Sequence, residues 1–203
     1  MALEIRELAR ADEADAIRFA IEGMHLSWFV DTPVLLAAYG RYFWYEELAR
    51  ATQVIAAYEG GRLAGVLLAA MAGEVPARPS HARAVYVRLV RGAINALYRG
   101  SEDAYDEANA RMYAAYVQGG EPDGELCFLA ADPQATTRGI GTALLAELAC
   151  REPGKKIFLF TDSGCTYQFY EHRGFERAAE KRVELDLGGR VRPLTCYLYS
   201  KVL

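Results

Sequence analysis

Between Glu125 and Leu145 the chain reads ELCFLAADPQATTRGIGTALL. An apolar run from Leu126 to Ala131 leads through a Pro-bearing loop to Gly139 and Gly141, which open an apolar helical pattern reaching about Cys150. Glycines at a strand-to-helix turn let a ligand approach the backbone. The first amides of the helix, reinforced by its dipole, favour an anion. A phosphate-bearing ligand is therefore expected, with several candidate owners. The dinucleotide fingerprint is disfavoured because Leu144 occupies its third glycine position, and the P-loop because no Gly-Lys-Ser/Thr occurs. The four cysteines, Cys127, Cys150, Cys165 and Cys196, form no CxxC pair, and His25, His81 and His172 are scattered. Reduced and mostly buried thiols, and no metal, are expected.

These groups need strands and helices to hold them. Leu3 to Leu8 alternates as a strand, and Ala11 to about Glu22 is helical with early acids. Asp31-Thr32-Pro33 places a cap before Pro and predicts a second helix to about Arg50. Val54 to Tyr58 and Leu63 to Ala70 are strands joined by a glycine turn at Gly60-Gly61. From Met71 to Glu125 the character changes. Ala82 to Tyr98 and a run capped by Ser101 and ending at Gly119-Gly120 are predicted helices, read as a helical hairpin inserted between two strands. Arg83, Arg88, Arg91 and Arg99 mark the first and Glu102, Asp103, Asp106 and Glu107 the second. The pair reads either as solvated faces with weak mutual attraction or as a lid or subunit contact. Lys156 to Thr161 is a buried strand, Thr166 to Arg173 a short helix. Arg182 to Leu187 and Leu194 to Val202 are closing strands around Gly188-Gly189.

At 203 residues the chain can bury a substantial core, and one domain spanning 1–203, with an insertion at about 72–123, is expected. With 52% hydrophobic and 25% charged residues it is globular in composition. A net charge of −4 calls for neither nucleic acid nor an anionic membrane. No apolar run approaches the roughly 20 residues of a membrane span, and the first residues carry no signal-peptide pattern, so a cytoplasmic protein is expected.

One strand after the glycine turn comes FYEHRGFE, Phe169 to Glu176. Together with the EIREL opening, the AYEGGRLAGVLL hairpin and the two closing strands, this order resembles the Gcn5-related N-acetyltransferase (GNAT) superfamily over nearly the whole chain except about Ala72 to Asp123. The resemblance implies an α/β (α+β) fold, with a mixed, mostly antiparallel sheet flanked by helices and the helical hairpin between the third and fourth strands. It implies acetyl-CoA as co-substrate and an acyltransferase that acetylates a primary amine by direct attack in a ternary complex. A non-catalytic acyl-CoA-binding protein is the alternative. The family loop Arg/Gln-x-x-Gly-x-Gly/Ala reads here Thr136-Thr137-Arg138-Gly139-Ile140-Gly141, with Thr136 in place of Arg or Gln. Amides from Arg138 to Thr142 would hold the pyrophosphate. The family's splayed strand would offer main-chain groups at Leu129, Ala130 and Ala131 to the pantetheine arm and the thioester carbonyl.

Tyr170 falls where many relatives place the Tyr that protonates the coenzyme A sulfur, and a phenol is protonated at pH 7. Glu125 precedes Gly139 by fourteen residues, the interval of the basic Glu in the histone-acetylating branch, with Asp162 a weaker candidate for the base. Ser163 stands near the relatives' pantetheine-ordering Asn. His172 lies seven positions from Cys165, too far to activate it, so no acyl-cysteine route is expected. The aromatics of His25 to Tyr45, which include Trp28, Phe29, Tyr39, Tyr42, Phe43, Trp44 and Tyr45, are either core or the wall of an acceptor groove for an apolar or cationic amine. The implied partners are a small-molecule or peptide amine and, through the insertion, a second copy of the chain in a homodimer.

Overall fold

A computed structural model of the chain describes residues 3–30, 32–97, 102–186 and 191–203. The predicted roles of Asp31, Arg99, Ser101 and the turn at Gly188-Gly189 lie outside these residues.

Gly60 and Gly61 take φ of 57° and 80°, the left-handed pair that closes a two-residue hairpin. They join β2 (Gln53–Glu59) to β3 (Arg62–Met71). β1 (Leu3–Arg6) pairs with β2, and β4 (Gly124–Ala131) with β3, both antiparallel. β5 (Lys156–Asp162) lies parallel to β4, and β6 (Glu176–Asp186) and β7 (Val191–Val202) complete the order β1-β2-β3-β4-β5-β7-β6. The sheet is thus mixed and mostly antiparallel, as expected. β6 starts six residues before the expected Arg182, because its early residues are charged and hide the alternation.

Alternation along the strands divides the core between two faces. Ile55, Leu67, Ile157, Leu159 and Tyr199 pack against Leu144, Leu145 and Leu148 of α5 (Ile140–Arg151). On the opposite face Tyr58, Val66, Leu68 and Phe128 are covered by Phe19 of α1 (Glu13–Gly23) and by Trp44 and Leu48 of α2 (Pro33–Arg50).

The insertion contributes α3 (His81–Leu97) and α4 (Glu102–Tyr116) between β3 and β4, where the sequence places them. α3 packs on α2, whereas α4 lies on β6 and β7. Ala108 and Met112 of α4 bury Phe158, Cys196 and Leu198, and Tyr116 meets Ser200 Oγ at 2.6 Å. Arg83 pairs with Glu13 and Arg91 with Glu46, so α3 is fastened to α1 and α2. α2 and α4 therefore share one face with a gap between them. That gap lies over the junction of β4 and β5.

Of the cysteines, Cys196 is buried, Cys127 and Cys165 are half-buried, and Cys150 is exposed at the end of α5, contrary to expectation. All four are free thiols. None of the described helices is long and apolar enough to cross a membrane.

Candidate functional site

β4 and β5 pair only at Gly124↔Ile157 and Glu125↔Phe158, then part. The partner register of β4 on β3 slips between Phe128 and Leu126, leaving Cys127 as an extra residue. Such a bulge bends its strand away from a neighbour. Phe128 turns towards α2, where it meets Phe43 and Trp44 edge-on at 5.9 and 6.0 Å. The β5-facing side of Leu129, Ala130 and Ala131 is thereby left without a strand partner.

A cavity of about 490 Å³ fills the opening. It is bounded by Leu129 to Ala131, by Thr137 and Gly139 to Thr142, and by Phe169, Tyr170 and Arg173 around α6 (Gln168–Glu171). Gly139, the residue before α5, has φ of 81°, a conformation that side chains resist. The helical ladder begins when Ala143 donates to Gly139 O at 2.9 Å. The amides of Ile140, Gly141 and Thr142 precede that rung and have no helical acceptor. A Cβ on Gly141 would come within 3.0 Å of Phe169 Cζ, so this glycine lets α6 close on the turn.

Three of the expected contacts point elsewhere. Thr136 donates its amide (3.1 Å) and hydroxyl (2.7 Å) to Glu59, which also accepts from the Thr137 hydroxyl. Those donors hold the Glu59 carboxyl down at about 2. Thr136 and Arg138 do not line the cavity, and neither does Ser163, whose Oγ accepts the Thr195 amide at 3.0 Å. Arg173, which sequence reasoning passed over, does line it. Its Nε donates to Thr142 Oγ1 at 2.8 Å in the first turn of α5, and its guanidinium lies 5.2 Å from the Phe169 ring centroid. The signal was available: a cation inside FYEHRGFE, in a chain whose loop lacks the usual Arg or Gln.

The Tyr170 ring packs among Phe169, Phe175 and Tyr199, and burial pushes its phenol up from the ordinary value, so it stays protonated at neutral pH. Nearby Cys165 is raised to about 12 by burial and by the charge of Asp162. It is a thiol there, a poor nucleophile.

Met24 and Cys165 also bound a second cavity, of about 250 Å³. Trp28, Phe29, Tyr39, Tyr42 and Phe43 wall it, and α4 supplies Tyr105 and Asp106. The aromatic segment thus divides, since Trp44 is wholly buried in the core and Tyr45 meets Tyr86 of α3 edge-on. His25, at φ 50°, stacks on Trp28 at 4.6 Å, and its Nε2 lies 3.0 Å from Gly164 O. Glu46, Glu47 and Asp162 add carboxylates to the lining. Asp162 accepts from the Gly164 amide at 2.7 Å and from the Tyr105 hydroxyl at 3.2 Å, both uncharged donors.

Glu125 lies at the start of β4 and lines neither cavity. Arg50 grips both of its oxygens, Nη2 meeting Oε1 at 3.0 Å and Nη1 meeting Oε2, and also meets Glu47 Oε2 through Nη2 at 2.6 Å and Nε at 2.9 Å. Burial works against the Arg50 charge, but the two carboxylates outweigh it and keep the guanidinium protonated. Sequence reasoning missed Glu47, one of several acids on an amphipathic helix until α2 is seen to face the gap.

The acetyltransferase (GNAT) family's sequence pattern matches residues 21–175. No curated protein matches the chain in sequence. Among solved structures, the fold is shared with a mutant agmatine N-acetyltransferase in its apo form (15% identity, 99% of both chains, TM-score 0.60). It is shared as well with a Drosophila melanogaster polyamine N-acetyltransferase (15% identity, 100% of both chains, TM-score 0.59). The PaiA N-acetyltransferase of Thermoplasma acidophilum, solved in complex with coenzyme A, is a third (17% identity, 100% of both chains, TM-score 0.52). With a splayed β4/β5 pair, a glycine turn opening α5 and a family match over most of its length, the chain belongs to the acetyltransferase (GNAT) family.

Proposed function

We propose that the protein transfers an acetyl group from acetyl-CoA to a primary amine by direct attack in a ternary complex. The observation that carries this reading is the meeting of two cavities at Met24 and Cys165, one with an anion cradle and one with aromatic and acidic walls. Amides at Ile140 to Thr142, with the Arg173 guanidinium, suit the pyrophosphate. Thr137 lines the same cradle, while Thr136, Arg138 and Ser163 contribute through the shape of their loops. The unpaired side of Leu129 to Ala131 suits the pantetheine amides and polarises the thioester carbonyl. Tyr170 returns a proton to the departing sulfur. The proton of the acceptor ammonium goes to the carboxylates that Arg50 joins, Glu47 and Glu125.

The acceptor cavity holds the carboxylates of Glu46, Glu47 and Asp162, with Arg91 and Arg50 answering Glu46 and Glu47. Aromatic faces and surplus negative charge favour a cation. The substrate is accordingly an aliphatic amine bearing a second cationic group, the kind of compound named for the agmatine and polyamine enzymes that share the fold. We place the reaction in the cytoplasm and the whole of 1–203 in one domain. The test is thiol release from acetyl-CoA with diamines, agmatine, simple monoamines and N-terminal peptides. Saturable release, fastest with the dicationic amines, is expected. Release confined to peptides would overturn the acceptor class, and none with any amine would overturn the transferase reading.

A further inference from the structure

Two carboxylates share Arg50, and they are not equivalent. Glu125 has both oxygens held by the guanidinium, whereas Arg50 engages Glu47 through Oε2. Glu47 lines the amine cavity, as does Met24, which also bounds the cofactor cavity; Glu125 lines neither. From this geometry we propose that Glu47 is the catalytic residue that takes the proton of the acceptor ammonium, with Glu125 a positioning residue acting on it through Arg50. The proposal rests on the acetyl-transfer reading above and apportions its proton chemistry.

The surroundings of Glu47 suit a base at neutral pH. Its carboxyl is raised to about 7, chiefly by burial, with Arg50 opposing and Glu125 and Glu46 adding to the rise. A guanidinium devoted to Glu47 alone would hold the carboxylate low and weaken it as a base. Shared with Glu125, the same cation stabilises a charged Glu47 less. Other groups face it as well. Glu46 on α2 is answered by Arg91 of α3, and Cys127 of β4 is kept a neutral thiol by burial. Across the cavity stand Asp162 of β5, Tyr105 and Asp106 of α4, and His25. Burial keeps Tyr105 protonated.

In the reaction the ammonium gives one proton to Glu47. The freed nitrogen lone pair forms the N–C bond to the thioester carbonyl carbon. The C–S bond breaks, its electron pair leaves on sulfur, and sulfur takes the Tyr170 proton. The second nitrogen proton restores Tyr170 through water and Glu47 yields its proton to solvent, so each turnover releases one thiol and one proton.

The experiment is the pH profile of kcat/KM for a diamine at saturating acetyl-CoA, joined to a carbon-13 carboxyl titration of glutamate-labelled protein. The wild type should show an acid limb near pH 7 and a carboxyl of matching midpoint that vanishes in Glu47→Gln. Glu47→Gln should lower kcat/KM by about 10²- to 10⁴-fold and abolish the limb, with acetyl-CoA binding retained. Glu125→Gln should move both limb and midpoint down, towards about pH 6 or below, because Arg50 then serves Glu47 alone. Loss of turnover in Glu125→Gln with the limb intact in Glu47→Gln would overturn the proposal. A glutamate midpoint below about pH 5 at Glu47 would do so even if Glu47→Gln fails to fold. Wild-type protein that releases no thiol but titrates near 7 would instead remove the transferase reading and the catalytic assignment with it.

Discussion

Tyr170 and Arg173 stand three residues apart around a short helix, yet the proposed reaction sets them at opposite ends of the donor. Replacing Tyr170 by Phe keeps the packing against Phe175 and Tyr199 and removes the proton. The expected result is a fall in kcat of about 10²-fold or more with little change in KM for acetyl-CoA, read from initial rates. Arg173→Ala should act on the other parameter. Loss of a charge-assisted contact should weaken acetyl-CoA binding about tenfold, and by less at high salt, as measured by calorimetry at two ionic strengths. Glu59 offers a pH test. Its carboxyl is depressed to about 2 in the fold by the Thr137 and Thr136 donors. The clip is therefore fully present above the unfolded value near 4.5 and is lost as pH falls towards 2. Glu59→Gln should flatten that part of an acid-unfolding curve. Of these residues, the Gly139-Gly141 turn was legible from local spacing, and Tyr170 was legible as a candidate through the resemblance. Glu47, Arg173 and the Glu59 clip were not, because each depends on a partner far away in the sequence. Thr136 shows the converse: its place in the motif was plain, but a carboxylate 77 positions away claims its hydroxyl.

At the scale of elements, strands and helices were readable because periodicity and glycine turns are local signals, as at Gly60-Gly61. The splay of β4 from β5 was foreseen only through resemblance, since no residue type announces an absent hydrogen-bond ladder. The insertion was correctly located, but its partners were not. Arg83 and Arg91 were read against the acids of α4 and instead hold α1 and α2. α4 helps to hold the sheet, because Met112 is 5% exposed over Phe158 and Leu198. Met112→Ala should cost about 2–5 kcal/mol in chemical denaturation. Since Tyr105 and Asp106 lie on the same helix, the variant should also raise KM for the amine more than for acetyl-CoA. An unchanged amine KM in a destabilised protein would mean that α4 supports the sheet without shaping the acceptor wall.

Over the whole molecule, the two faces of the sheet divide the work. α5 covers one face and turns its first amides to the larger cavity, while α1, α2 and α4 cover the other and leave between them the aromatic and acidic cavity. The two cavities meet where β4 and β5 separate, which is where the proposed reaction brings donor and acceptor together. Composition and charge spoke to globularity but carried nothing about the acceptor, whose proposed site is assembled from α2, α4 and the end of β5. The most direct measurement is thiol release from acetyl-CoA by the purified wild type with a diamine, run beside Gly139→Asp, which places a side chain and a negative charge at the φ 81° turn of the proposed pyrophosphate cradle. Saturable release by the wild type with matching N-acetylated product in the mass spectrum, and loss of acetyl-CoA saturation in Gly139→Asp, is expected. Wild-type protein that binds acetyl-CoA yet releases no thiol to any amine, or a Gly139→Asp protein that turns over as the wild type does, would contradict it.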